Sequence, residues 1–238
     1  LEENIMADIN ITIQKYDPCT DAAPYTVTYA VPWKEHLTVL EALHYVNENC
    51  EPVVWDYSCR TGLCGRCGVM IDGKAGLACF TPLTEEDHTI EPLAGYPVIR
   101  DLMVDKQAFL DSLTALDLSV KTTGSLDNAD LPAIDYEFWW ETLDRIQMCR
   151  ECGSCMTACP VSAADPAGFA GPAALTQVAL RMFDEVDLTD RALQAYDMGI
   201  HQCIECGMCE TVCPSHIAHA SVHAQMKAVC DAKGYTAA

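Results

Sequence analysis

The alternation of hydrophobic and polar positions changes its period near the middle of the chain. In the first hundred residues the period is two: Ile9, Ile11 and Ile13 alternate with polar neighbours, as do Tyr25, Val27, Tyr29 and Val31. Each run predicts a half-buried strand, because successive side chains of a strand point to opposite faces. The turn-rich stretch Asp17–Pro24 lies between them and predicts that they pair. Thr38 is placed to cap a helix whose Leu40, Leu43, Tyr45 and Val46 share a face up to Cys50, and Pro52 forbids continuation. Val69 and Ile71 run into Asp72-Gly73, a hairpin signal.

From Gln107 to Pro132 the pattern thins into Ser, Thr, Asp and Gly, which predicts a connector that wraps rather than packs as an element. The period then becomes helical. Trp139, Leu143 and Ile146 predict a helix that delivers Cys149 at its end. Gly171-Pro172 opens another, with Leu175, Val178, Ala179 and Met182 on one face and the proline at a tolerated first-turn position. A short capped helix is expected over Thr189 to Gly199, and a longer one over Ile217 to Gly234 with Val222, Met226 and Val229 aligned. A mixed α+β first domain over 1–106 and a helical second domain over 107–238 are the expected division.

Cysteine order adds chemistry to this outline. Of fifteen cysteines in 238 residues, twelve form three consecutive sets of four. Cys59, Cys64, Cys67 and Cys79 have the C-x4-C-x2-C spacing, with one cysteine beyond, of a plant-type 2Fe-2S motif. The Asp72-Gly73 hairpin would carry the fourth of them back to the loop. Cys149, Cys152, Cys155, Cys159-Pro160 and Cys203, Cys206, Cys209, Cys213-Pro214 are each a C-x2-C-x2-C-x3-C-P run of the bacterial two-cluster kind, and together form the internal repeat. In such pairs the last cysteine of each run ligates the other cluster. Cys149, Cys152 and Cys155 are therefore expected to share a 4Fe-4S cluster with Cys213, and Cys203, Cys206 and Cys209 to share a third with Cys159.

A disulfide framework needs a small secreted domain, and zinc ribbons pair two short units with no use for the further cysteine and proline. Gly62, Gly65 and Gly68 allow the first loop to curl so that amide N–H groups face the sulfurs, while Arg66 reads as solvated. Cys19, Cys50 and Cys230 lie outside the runs and read as small buried side chains. His216, His219 and His223 read as a surface stripe on a late helix, for want of a carboxylate partner.

Charge and hydropathy narrow the partners. With 35 acidic against 14 basic side chains the formal charge is -21, which excludes nucleic acid and anionic lipid, since the field repels phosphate. No apolar stretch approaches the roughly 20 residues needed to span a bilayer, and the richest, Ala173–Phe183, is broken by Gln177 and Arg181. Attachment to a membrane would need another subunit. No G-x-G-x-x-G follows a strand, so a flavin or nicotinamide is expected on a separate chain.

Ser58-Cys59-Arg60-Thr61-Gly62-Leu63-Cys64-Gly65, Gly76-Leu77-Ala78-Cys79, Pro97-Val98-Ile99-Arg100-Asp101-Leu102, Gly171-Pro172-Ala173-Ala174 and the two cysteine runs resemble the iron–sulfur subunit of succinate dehydrogenase and fumarate reductase. The resemblance implies a β-grasp plant-type ferredoxin domain followed by an all-helical domain with two cuboidal clusters. It further implies a flavoprotein partner bearing covalent FAD and the dicarboxylate site, and a membrane-anchor partner, often quinone-binding, at the cytoplasmic face of the inner membrane. In that family the third cluster is usually 3Fe-4S, with a non-cysteine where this chain has Cys206. Four thiolates imply 4Fe-4S instead, and 3Fe-4S if Cys206 is not a ligand. Val161-Ser162-Ala163-Ala164-Asp165 lacks the aromatic residue usual on the quinone side, whereas Lys227 matches a lysine near quinone in some fumarate reductases. These departures resemble the branch whose anchor is like a heterodisulfide reductase subunit. The other readings are a stand-alone polyferredoxin and a subunit of another flavin-linked oxidoreductase.

Overall fold

A computed structural model describes residues 8–122, 137, 140 and 143–237. The chain divides into two compact units, one of Leu1–Gln107 with Arg150–Thr157 and the other of Ala108–Cys149 with Ala158–Ala238.

In the first unit, β1 (Asp8–Lys15) and β2 (Tyr25–Pro32) pair antiparallel, with Ile9 opposite Val31, Ile11 opposite Tyr29 and Ile13 opposite Val27. The three isoleucines are buried, so the period of two in the sequence is one face of a sheet turned to the core. The sheet has the order β2-β1-β5-β3-β4 with β3 (Gly68–Ile71), β4 (Lys74–Leu77) and β5 (His88–Pro92). Its one parallel pairing is β1 with β5. Asp72 (φ 49) and Gly73 (φ 76) both have positive φ, as a two-residue hairpin turn between β3 and β4 requires.

Helix α1 (Val39–Asn49) packs Val39, Leu40, Leu43 and Val46 into the same core. It begins with a reciprocal cap: Glu41 N donates to Thr38 Oγ1 at 3.2 Å, and Thr38 N donates to Glu41 Oε2 at 2.9 Å. Past β6 (Val98–Arg100) the chain turns at Asp101 and enters β7 (Met103–Val104). Asp101 is 4% exposed, and its carboxylate accepts from the backbone N–H of Tyr16 and of Val54 and lies 3.6 Å from the Lys15 ammonium.

The expected wrapping connector instead begins with a helix, α2 (Gln107–Thr114), which buries Phe109 and Leu113. Those two residues are spaced i, i+4, a short apolar face hidden among polar neighbours. Trp139, expected in a helix, lies outside the described residues; the described part nearby is one turn, α3 (Asp144–Ile146). Then come α4 (Ser154–Ala158), α5 (Pro160–Ala164), α6 (Gly171–Met182), α7 (Arg191–Asp197), α8 (Met208–Thr211) and α9 (His219–Ala232). Helices α6, α7 and α9 pack around Leu175, Val178, Ala195, Val222 and Met226. Arg191, 3% exposed, holds this unit together by binding Asp187 and the carbonyls of Asp117 and Ser119. Burial alone would raise the Asp187 pKa, but the Thr189 amide, the Lys121 amide and the Arg191 guanidinium hold it down at about 2. Among the described residues no helix is long and apolar enough to cross a membrane.

Removing the Asp101 carboxylate leaves two partly buried amides without their acceptor and takes one partner from the Lys15 ammonium, which keeps the Pro52 carbonyl and Glu51, a loss of about 2 kcal/mol. Asp101→Ala is expected to lower the thermal midpoint by several degrees. Lys34→Ala removes an ion pair whose side chains are 63% and 47% exposed, and is expected to leave the midpoint nearly unchanged. Differential scanning calorimetry of both variants checks the contrast.

Candidate functional site

The loop before β3 is shaped by its backbone N–H groups. Leu63 N and Cys64 N donate to Cys59 Sγ at 3.2 and 3.3 Å, Thr61 N reaches the same sulfur at 3.5 Å, and Gly62 N donates to Cys79 Sγ at 3.2 Å. Ala78 N donates to Cys67 O at 2.9 Å, so the β3–β4 hairpin returns Cys79 to Cys67, and their sulfurs stand 3.3 Å apart. All four predicted residues Cys59, Cys64, Cys67 and Cys79 are thus brought to one loop. The amide of Thr61, with those around it, holds the Cys59 thiol down to about 6, whereas burial pushes Cys67 up to about 12.

Gly65 has φ +68, and a Cβ there would collide with the Arg150 carbonyl and stand 3.0 Å from Cys152 Cα. The absence of a side chain is what lets this loop lie against the 150–157 segment. Lys106 fastens the same contact, donating to the carbonyls of Gly65 at 3.2 Å and Cys152 at 3.1 Å. Burial lowers the Lys106 pKa, and the nearby Cys152 thiol and Asp56 oppose that shift. Sequence reading missed Lys106, because its role is defined only by a fold that brings residues some forty positions apart onto one ammonium. Arg66 is 58% exposed, as read from the sequence, but is paired with Asp56 at 3.0 Å.

The second set is seen in parts. Cys152 and Cys155 are buried in the first unit, where Thr157 Oγ1 donates to Ala94 O at 2.7 Å and Tyr96 Oη to Gly153 O at 3.4 Å. In the second unit, Ser215 Oγ donates to Met148 O at 2.6 Å and joins the segments that carry Cys149 and Cys213. Ile217 N approaches Cys213 Sγ at 3.5 Å.

The third set converges within the second unit. Cys159, Cys203, Cys206 and Cys209 all line one small pocket, with Phe169 and His223 among its other walls. Cys159 and Cys209 are buried and Cys206 is exposed at the rim. Glu205 (φ 54) and Gly207 (φ 73) turn the loop on either side of Cys206. Burial, then the nearby Cys159 and Cys203, push the Cys209 thiol up to about 12. Lys227 donates to Cys203 O and, at 2.6 Å, to Glu205 Oε1. His219 and His223 are each 1% exposed, which corrects the surface stripe expected for them, and His216 precedes α9. His223 Nδ1 is 3.2 Å from Cys203 Sγ. Burial, aided for His223 by the charge of Lys227, pushes these imidazoles down to about 4 and about 3. Of the three cysteines outside the runs, Cys230 is buried, but Cys19 and Cys50 are exposed, contrary to expectation.

Among the described residues no three His, Cys, Asp or Glu are arranged around a single-ion position. A cluster distributes its thiolates over several irons, and the loops above suit that group: soft donors in fours, and amides aimed at sulfur.

The fold and the thiol loops define an iron–sulfur protein with one ferredoxin-type sheet domain and one helical domain. Residues 10–111 match the family of 2Fe-2S iron–sulfur cluster binding domains, and residues 145–217 match the 4Fe-4S dicluster domain. The fumarate reductase iron–sulfur subunit of Haemophilus influenzae is 34% identical, over 95% of this chain and 94% of the relative, and that of Mycobacterium tuberculosis is 34% identical over 90% and 89%. A subunit of the fumarate reductase (CoM/CoB) of Methanothermobacter marburgensis is 32% identical over 88% of this chain, which spans 41% of that longer relative. A chain of the Mycobacterium smegmatis Sdh1 complex shares the fold, with a TM-score of 0.84 at 24% identity, covering 96% of this chain and 98% of that one. The chain belongs to the family of fumarate reductase iron–sulfur subunits, whose members transfer electrons within their complex.

Gly65→Ala forces a strained backbone and a collision with the 150–157 segment, so the variant is expected to lose most of its 2Fe-2S content. Visible circular dichroism and iron analysis check this against Gly73→Ala, which carries the same positive-φ strain (φ +76) but has nothing within 4 Å of the added Cβ, so that the difference between the two reports the collision.

Proposed function

We propose that the chain passes single electrons between a flavoprotein subunit with covalent FAD, where the dicarboxylate is converted, and a membrane-anchor subunit. The observation that carries the proposal is the set of loops in which amide N–H groups converge on Cys59 and Cys79 and four cysteines line one cavity. Cys59, Cys64, Cys67 and Cys79 hold the 2Fe-2S cluster; Cys149, Cys152, Cys155 and Cys213 hold a 4Fe-4S cluster; Cys159, Cys203, Cys206 and Cys209 hold a third. Bound clusters supply one-electron oxidation and reduction, which no side chain of the protein provides by itself.

The protein's own part is to orient thiolates and exclude water from them. Amides of residues 61–64 stabilise negative charge on the first-loop sulfurs, and the Lys106 ammonium fixes that loop's backbone. Around the third centre, Lys227 holds the Cys203 carbonyl and places a cation beside the sulfurs. In this reading Lys227 also stands where a quinone would approach. The substrate site lies on the flavoprotein, so this chain has no dicarboxylate chemistry of its own. The domain boundary falls at 106/107, and attachment is peripheral, at the cytoplasmic face of the inner membrane through the anchor.

Cys206 supports a 4Fe-4S third cluster, because its loop is turned to bring it to the cavity that the other three thiols line. Similarity to the Methanothermobacter relative, whose name specifies CoM and CoB, favours a thiol-linked partner as the alternative to quinone.

Cys64→Ala is expected to abolish the 2Fe-2S signal in the EPR spectrum of the reduced protein and to spare the other clusters; persistence of the signal contradicts the ligand assignment. The chain purified without a flavoprotein is expected to accept electrons from a chemical reductant yet show no succinate or fumarate turnover. In protein oxidised without exposure to oxygen, little 3Fe-4S signal is expected. A signal near one spin per chain would show that Cys206 is not a ligand.

A further inference from the structure

Helix α9 places two buried histidines beside the third set of cysteines, and electron transfer in itself assigns neither a role. Their proton positions follow from their partners. Thr176 Oγ1 donates its one proton to Pro172 O at 2.7 Å, so at 2.8 Å from His219 Nδ1 it accepts. His219 is therefore an Nδ1–H donor committed to helix α6. His223, one turn further on, turns the same atom to Cys203 Sγ at 3.2 Å. A cysteine that binds iron does so as thiolate and has no proton to give. The proton in this contact is then on the imidazole.

We propose that His223 is a positioning residue of the third centre, its Nδ1–H donating to the Cys203 thiolate and raising the reduction potential of the cluster that Cys203 holds. The proposal rests on the reading of Cys203 as a cluster ligand. Reduction adds negative charge to the cluster and its sulfurs, and a hydrogen-bond donor stabilises that charge more in the reduced state than in the oxidised one. Burial of the His223 ring strengthens the effect, since water competes little for its N–H. The ring has little freedom to leave: His223 is 1% exposed, and its neighbours Val222 and Met226 anchor α9 at 3% and 0%. The Glu205 backbone also favours the anionic form of this sulfur. A side-chain donor differs from a backbone one in being replaceable, so position 223 can set the potential without remodelling the loop. A fourth thiolate at Cys206 adds negative charge and lowers the potential, and the added donor offsets part of that lowering.

The test is an EPR-monitored redox titration of the assembled complex carrying native chain, His223→Leu or His223→Asn. Leucine removes the donor and is expected to lower the midpoint of the third cluster while leaving the other two midpoints in place. Asparagine, whose Nδ2 can stand in for Nδ1, is expected to bring it back toward the native value. An unchanged third midpoint in His223→Leu, with the cluster retained, overturns the proposal. Should leucine cost the cluster itself, native protein labelled with ¹⁵N-histidine decides: pulsed EPR is expected to show one weak histidine nitrogen coupled to the third cluster, and no such coupling overturns the proposal. A native protein that lacks a third cluster overturns the ligand assignment, and the role of His223 with it.

Discussion

Crowding several thiolates into one loop is the constraint on which this molecule turns. Each sulfur that becomes anionic repels the next, and burial removes the water that would screen them. The opposite shifts of two neighbours in one loop show the balance: Cys59, met by several amides, sits at about 6, and Cys67, buried, at about 12. Bound iron supplies the positive charge for the second situation and the backbone supplies dipoles for the first. The chain as a whole is strongly acidic, so cations near the sulfurs stand out. Lys106 and Lys227 occupy those positions, each binding carbonyls of a cysteine-bearing loop.

The architecture is explained by what such loops require of the elements around them. A curled loop cannot hold its own shape without rigid flanks, and here β3, β4 and the capped helix α1 provide them for the first centre. In the second unit the corresponding flanks are α5, α6 and α9. Gly199 (φ +78) packs directly against the Gly168 carbonyl just before the Cys203 loop, a second place where backbone closeness leaves no room for a side chain.

Much of this was legible in the sequence because its signals are local. Alternation at Ile9, Ile11 and Ile13, the Thr38–Glu41 cap and the Asp72-Gly73 turn each act within a few residues, and the cysteine spacings named the loops. What escaped depended on distant partners. The surface reading of His219 and His223 failed because their neighbours are a threonine on α6 and a cysteine in the 203–209 loop, not residues of their own helix. Helix α2 was hidden because only Phe109 and Leu113 mark its apolar face. The exposure of Cys19 and Cys50 escaped notice, since a lone cysteine carries no pattern from which burial can be read. Lys106 could not be singled out before the fold joined Gly65 to Cys152.

On the proposed function, these features serve electron passage between two chemically different partners. Rapid freeze-quench EPR probes that passage without intermediaries: the fully reduced complex of this chain with its flavoprotein is mixed with fumarate and frozen over the first turnovers. The reduced-cluster signals are expected to disappear in step with succinate formation. With no excess reductant present, succinate limited to the one equivalent that the reduced flavin supplies, while the clusters remain reduced, would contradict electron passage through this chain.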